Sequence, residues 1–131
     1  MEFEKDPKLQ GVDERRKEWR LEASGSFLVE FTKKAFPPLK GPGDGRDLSL
    51  SGVRFATGLL LKKGDHLDLV INFPQGFPAA RKVQVQAEVA RVYKPKGAKR
   101  FRVGCKLVSL EKEAAEILRQ FMWWLDMNPD T

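Results

Sequence analysis

The sequence predicts an all-β domain, a small antiparallel barrel or strongly curled sheet followed by one C-terminal helix. Three observations predict it. Apolar and polar residues alternate in several short runs, most clearly Val83, Val85, Ala87 and Val89 against Lys82, Gln84, Gln86 and Glu88. Clusters of Gly, Pro, Asp and Lys punctuate those runs as turns. A helical period is sustained once, near the end, and no internal repeat is found.

The 131 residues suffice for one domain with short extensions. From Met1 to about Asp13 the chain is polar and charged without an apolar period, so a mobile arm or a poorly anchored helical turn is expected. A basic cluster, Arg15-Arg16-Lys17-Glu18-Trp19-Arg20, interrupts it. Phe27, Val29 and Phe31 alternate with Leu28, Glu30 and Thr32 and predict the first strand, with the Phe/Val face inward. From Pro37 to Arg46, seven residues are Pro, Gly or Asp, which predicts a loop and no part of a sheet.

That loop leads to Asp47-Leu48-Ser49-Leu50-Ser51-Gly52, a polar hexad ahead of a short strand begun by Val53 and Phe55. Local turn chemistry alone accounts for the hexad. Asp and Ser bond nearby backbone, and Gly permits a left-handed or closely approached conformation. Lys62 to Asp65 is a turn, and Leu67, Leu69, Ile71 and Phe73 mark the next strand, which ends at Pro74. The Val83 strand follows. If its alternation continues, Arg91 projects with the valines at the mouth of the sheet, within reach of a ligand; the alternative is an edge arginine extended to water.

Lys94 to Lys99 is a basic hairpin loop, and Phe101, Val103, Cys105 and Leu107 form the inward face of the last strand. The helix is expected to start at Ser109 as N-cap, with Glu111 and Glu113 at the positive end of its dipole. Ala114, Ile117, Leu118, Phe121, Met122 and Leu125 form its apolar stripe, and Asn128-Pro129 ends it. Trp123 and Trp124 are adjacent, so one of them must leave the stripe, to pack over the open end of the sheet or to meet a partner.

Composition narrows the chemistry. A charged content of 32% and hydrophobic content of 41% are those of a soluble globular protein. No apolar run is long enough to span a membrane and no secretory signal is found, so a cytoplasmic location is expected; the lone Cys105 agrees with a reducing compartment. One His and one Cys provide no nucleophile and base pair and no metal cluster, so neither catalysis nor a metal is expected. Cys105 reads as a small core residue and His66 as a solvated one. The net charge of +6 favours a nucleic acid, an anionic membrane surface or a phosphorylated ligand without choosing among them.

Arginine chooses further. Its guanidinium pairs bidentately with phosphate and stacks on bases, and it matches guanine O6 and N7, while guanine N1 and N2 hydrogens need an acceptor such as a carboxylate. Two or three arginines with one Asp and one Ser therefore satisfy both a phosphate and a guanine.

In this pattern, Arg16-x-x-x-Arg20 followed by Asp47-x-Ser49-x-x-Gly52 resembles the two-part signature of PilZ domains, bacterial receptors for cyclic di-GMP. The resemblance runs from about Arg15 to Leu125, through Val53-Arg54-Phe55 and Arg102-Val103-Gly104-Cys105-Lys106-Leu107. It implies a six-stranded antiparallel β-barrel with a C-terminal α-helix, a flexible arm at 1–14, a PilZ domain at 15–126 and a tail at 127–131. It implies that Arg16 and Arg20 bind phosphates and stack on or hydrogen-bond guanine, that Asp47 and Ser49 address the guanine edge, and that Gly52 keeps the turn open. Arg15 precedes the motif where a basic residue accompanies a self-stacked ligand pair in similar domains. Arg91 falls near a position where relatives often carry Trp. The loop before Asp47 looks longer than in compact relatives.

The implied protein is a cyclic di-GMP sensor without cofactor or enzymatic activity, which orders its arginine segment over the ligand and signals through a protein partner the sequence does not name. Two rivals carry other expectations. A basic barrel binding single-stranded nucleic acid needs outward aromatics and a steep salt dependence, and few aromatics fall at outward positions. An adaptor of the same fold that binds no nucleotide would dock through the helix and its tryptophans.

Overall fold

The computed structural model describes residues 26–128 and, as backbone, residues 20–22. In chain order the elements are β1 (Arg20–Glu22), β2 (Leu28–Lys33), β3 (Leu39–Ser49), β4 (Gly52–Thr57), β5 (His66–Asn72), β6 (Lys82–Tyr93), β7 (Phe101–Ser109) and α1 (Lys112–Met127). The strands run β3-β2-β5-β6-β7-β4, all antiparallel, and β4 pairs back onto β3 to close a six-stranded barrel. The short β1 adds to the free side of β3, placing Arg20 opposite Ser49, Leu21 opposite Leu48 and Glu22 opposite Asp47.

Alternation does what it predicts in β2, β5 and the first two-thirds of β6. Val29, Phe31, Leu67, Leu69, Ile71, Val83, Val85, Ala87 and Val89 are buried inside the barrel, while their neighbours face out. Phe31 and Phe55 meet at 5.7 Å between ring centroids in the middle of this core.

The expected loop from Pro37 to Arg46 is corrected: most of it belongs to β3, an 11-residue strand. The glycines are there because the rings are large. A Cβ on Gly41 would come 2.3 Å from Leu59 Cδ1, on Gly43 2.4 Å from Phe55 Cδ2, and on Gly45 2.5 Å from Phe27 Cδ2. Three phenylalanines thus occupy the space that inward side chains of β3 would need. Pro42 is tolerated because β3 pairs there with β2 alone, before its pairing with β4 starts at Asp44. Gly45→Ala is expected to cost about 1–3 kcal/mol through overpacking, read as a lower urea midpoint at unchanged slope. Gly58→Ala, with nothing within 4 Å, is the neutral control.

The helix begins later than expected. Ser109 is the last residue of β7, and the N-cap is Glu111, which makes no side-chain capping bond. Asn128 ends the helix: its N–H donates to Leu125 O, and its side-chain amide donates to Trp124 O. Leu118, Phe121, Met122 and Leu125 turn inward. Phe121 contacts Phe27, Phe73 and Phe77, so α1 plugs the barrel end where β2 begins and β5 finishes. Trp124 stacks on Phe121 and meets Phe77, and Trp123 is the one that leaves the stripe.

Cys105 lies inside the barrel wall, and burial pushes its thiol up to about 12. It stays protonated at neutral pH. A thiol reagent near pH 8 should label it slowly in the folded protein and rapidly in denaturant.

Candidate functional site

The hexad is the end of a hairpin. Asp47 and Ser49 close β3, Leu50 and Ser51 make the turn, and Gly52 opens β4. Ser49 is buried, and its Oγ accepts hydrogen bonds from the Gly52 N–H at 3.1 Å and the Ser51 N–H at 3.3 Å. This hydroxyl holds the turn shut. Gly52 is not in the left-handed region, which among the described residues is used only by Gly64 and Gly97, so conformational freedom does not explain it. It is buried, opposite Lys106 of β7.

One register line organises the surface beside this hairpin. Asp47 of β3 pairs with Arg54 of β4, Arg54 with Gly104 of β7, and Gly104 with Arg91 of β6. Partnered residues in antiparallel strands share a face, so this line crosses the outside of the barrel wall. The Asp47 side chain is only 13% exposed, and its Oδ2 lies 3.5 Å from Arg54 Nη1. Gly104 leaves a floor between the two arginines: a Cβ there would stand 3.9 Å from both Arg54 Cγ and Arg91 Cβ.

Of the two placements open to Arg91, the edge arginine extended to water holds and the inward one does not. The register shifts between Val89 and Arg91, so Ala90 is an extra residue and the alternation restarts one position late. Val92 turns toward the core, and Arg91 is exposed, its guanidinium 4.9 Å over the Tyr93 ring. A second shift, between Gly45 and Asp47, similarly offsets Arg46. Both bulges re-aim an arginine toward one cleft.

That cleft holds about 370 Å³ and is lined by Arg46, Asp47, Ser51, Gly52, Arg54, Arg91, Tyr93, Arg102, Gly104 and Lys106, among others. Five cationic side chains and one carboxylate face it, which suits a phosphate-bearing ligand. A larger hollow of about 940 Å³ crosses the outside of β2, β5 and β6, but Glu30, Asp68 and Glu111 line it against Lys40 alone. Volume favours the second; charge decides for the first.

Of the sequence-predicted residues, the fold brings Asp47, Ser49, Gly52 and Arg91 to one side of the barrel, with the Arg20 backbone beside Ser49. Arg15 and Arg16, the expected arm and the side chain of Arg20 lie outside the described residues. Sequence reasoning missed Arg46, Arg54, Tyr93, Arg102, Gly104 and Lys106 as lining residues. Alternation does show Arg54 outward between Val53 and Phe55, but only the register reveals its neighbours.

The model of the PilZ domain matches residues 14–123. The chain belongs to the PilZ family. No curated protein sequence matches it. Among solved structures, the PilZ domain of YcgR from Escherichia coli with c-di-GMP superposes with a TM-score of 0.71 at 15% identity, covering 88% of this chain and 94% of that one. MotI/DgrA of Bacillus subtilis, an inhibitor of motility, gives 0.67 at 18% identity, over 87% of this chain and 52% of that one. MrkH of K. pneumonia in its c-di-GMP complex gives 0.69 at 12% identity, over 88% and 53%. These likenesses show the fold, and the chain spans about half the length of MotI/DgrA and of MrkH. The PilZ barrel of this protein carries its cleft on the β3-β4-β7-β6 side, next to the β1 strand that the second arginine of the motif begins.

Proposed function

We propose that this PilZ domain protein is a non-enzymatic receptor for cyclic di-GMP. The observation that carries the reading is the line Asp47, Arg54, Gly104, Arg91: one carboxylate, two guanidiniums and a bare floor between them. Asp47 accepts the N1 and N2 hydrogens of one guanine. Arg54 and Arg91 meet phosphate oxygens or guanine O6 and N7, with Tyr93 backing Arg91. Ser49 acts by holding the turn that aims Asp47, which narrows its expected role at the guanine edge.

Arg16 and Arg20 supply the remaining phosphate and stacking contacts from the other side of the ligand. Pairing of β1 with β3 supports this, because it sets the backbone of Arg20 against Ser49. Binding then orders the arginine segment, and Arg15 favours a stacked ligand pair. The complexes of YcgR and MrkH with c-di-GMP give the same ligand to the same fold.

A calorimetric titration of the purified protein with cyclic di-GMP tests the reading. Saturable heat is expected, with at least about tenfold weaker binding in Arg16→Ala and in Arg20→Ala, each losing charge-assisted bonds of roughly 1.5–3 kcal/mol. Absence of heat at high ligand excess would sink it.

The signal passes to a protein partner in the cytoplasm. Trp123, 43% exposed, and Met127 stand one turn apart on the outer face of α1 and support a contact there. Capture of a partner from lysate should depend on cyclic di-GMP and fall with Trp123→Ala, while nucleotide affinity stays unchanged.

A further inference from the structure

The barrel end opposite α1 carries a feature the nucleotide cleft does not use. Three loops leave the barrel there: 34–38 after β2, 58–65 between β4 and β5, and 94–100 between β6 and β7. Backbone bonds hold the first to the start of β5 and the second to β6, with the Lys34 N–H donating to His66 O and the Gly64 N–H to Val89 O. Phe101, which follows the third loop, pairs with Thr57, which precedes the second.

At this end Phe36 is 100% exposed, in the run Ala35-Phe36-Pro37-Pro38 that is exposed throughout, and Leu60 is 58% exposed. The second and third of these loops carry Lys62, Lys63, Lys94, Lys96 and Lys99, all exposed and without an ion pair among the described residues. Most local carboxylates are taken: Asp65 pairs with Lys33, Asp68 with Lys34 and Asp44 with Arg100, and only Glu88, opposite His66, is left without an ion pair among the described residues against the five lysines. Two apolar tips on loops with ammonium groups in excess are what a protein needs to sit on an anionic lipid surface. The tips enter the acyl boundary and the lysines remain among the headgroups.

We propose that this end of the barrel docks on a membrane surface containing anionic lipids. A nucleic acid fits the same charge less well. Of the two tips only Phe36 offers a stacking face, and the charges here are lysines, point charges suited to a diffuse field, whereas Arg46, Arg54, Arg91 and Arg102 line the cleft. Docking needs no nucleotide, so its failure and that of the receptor reading are separable.

The test is vesicle flotation of the full chain without nucleotide, using phosphatidylcholine vesicles with and without phosphatidylglycerol. Binding is expected only with phosphatidylglycerol and should fade at high salt. Lys62→Glu with Lys63→Glu should lower partitioning by more than about tenfold, and Phe36→Ser with Leu60→Ser by about tenfold. Circular dichroism checks that each variant folds. Phe36→Trp should add a component to the emission that shifts to the blue on these vesicles. No binding to the mixed vesicles, equal binding to both kinds, or indifference to both double variants overturns the proposal. So does binding of a single-stranded oligonucleotide or an acidic peptide through these lysines with no vesicle binding.

Discussion

Asp47→Ala is expected to weaken cyclic di-GMP binding roughly 10- to 150-fold, the loss of one or two hydrogen bonds to a charged acceptor. Among the described residues Asp47 is the only carboxylate lining the cleft, so nothing else there replaces it as acceptor for guanine N1 and N2 hydrogens. The sign of the electrostatic side effect makes the prediction sharper. Removing a negative charge from beside Arg54 strengthens the field on phosphates, so a cyclic dinucleotide of adenine, which has no N1 hydrogen to donate, should bind the variant no more weakly than it binds the parent. Parallel titrations with the two nucleotides separate base reading from phosphate attraction. The ion pair with Arg54 itself contributes little to stability, and circular dichroism of the variant checks the fold, because the Asp47 side chain is only 13% exposed.

The largest stability effect is expected at Phe121. It is fully buried and joins the helix to the barrel through Phe73 at 4.6 Å, Phe77 at 5.2 Å and Phe27 at 6.1 Å between centroids. Phe121→Ala empties that space and should cost about 3–5 kcal/mol. In a domain of this size the melting temperature falls by on the order of 10–20 °C. Differential scanning calorimetry checks it, and Trp123→Ala, at an exposed position one turn's edge away, should leave the transition nearly unchanged.

Where inward residues alternate without interruption, the fold was legible. Val83 to Val89 and Leu67 to Ile71 needed only the period-two rule, and the terminal helix only its apolar stripe. The rule failed where a local feature competes with it. Gly41, Gly43 and Gly45 carry no side chain to alternate, because rings from β2, β4 and the segment before β2 fill their places, so β3 reads as a loop. Alternation alone would turn Arg91 inward, but one extra residue, Ala90, inverts everything after it, and the edge position also open to Arg91 is the one it takes. Ser109 has the right chemistry for an N-cap, but β7 uses it as a strand residue.

The site was half legible for a related reason. Asp47, Ser49 and Gly52 are close in sequence and therefore recognisable as a motif. Arg54, Gly104 and Arg91 become neighbours only through strand register, which connects residues up to 50 positions apart. The outward positions of Arg54 and Gly104 were visible; the common line with Arg91 was not.

The central claim is that cyclic di-GMP sits across that line. Backbone amide shifts followed during a nucleotide titration test it most directly. The account predicts saturable shifts at Asp47, Gly52, Arg54, Arg91 and Gly104, together with residues 15–22, and none in the acidic hollow across β2 and β5. Shifts concentrated in that hollow, or an unperturbed Asp47 to Arg91 line at saturating nucleotide, would contradict it.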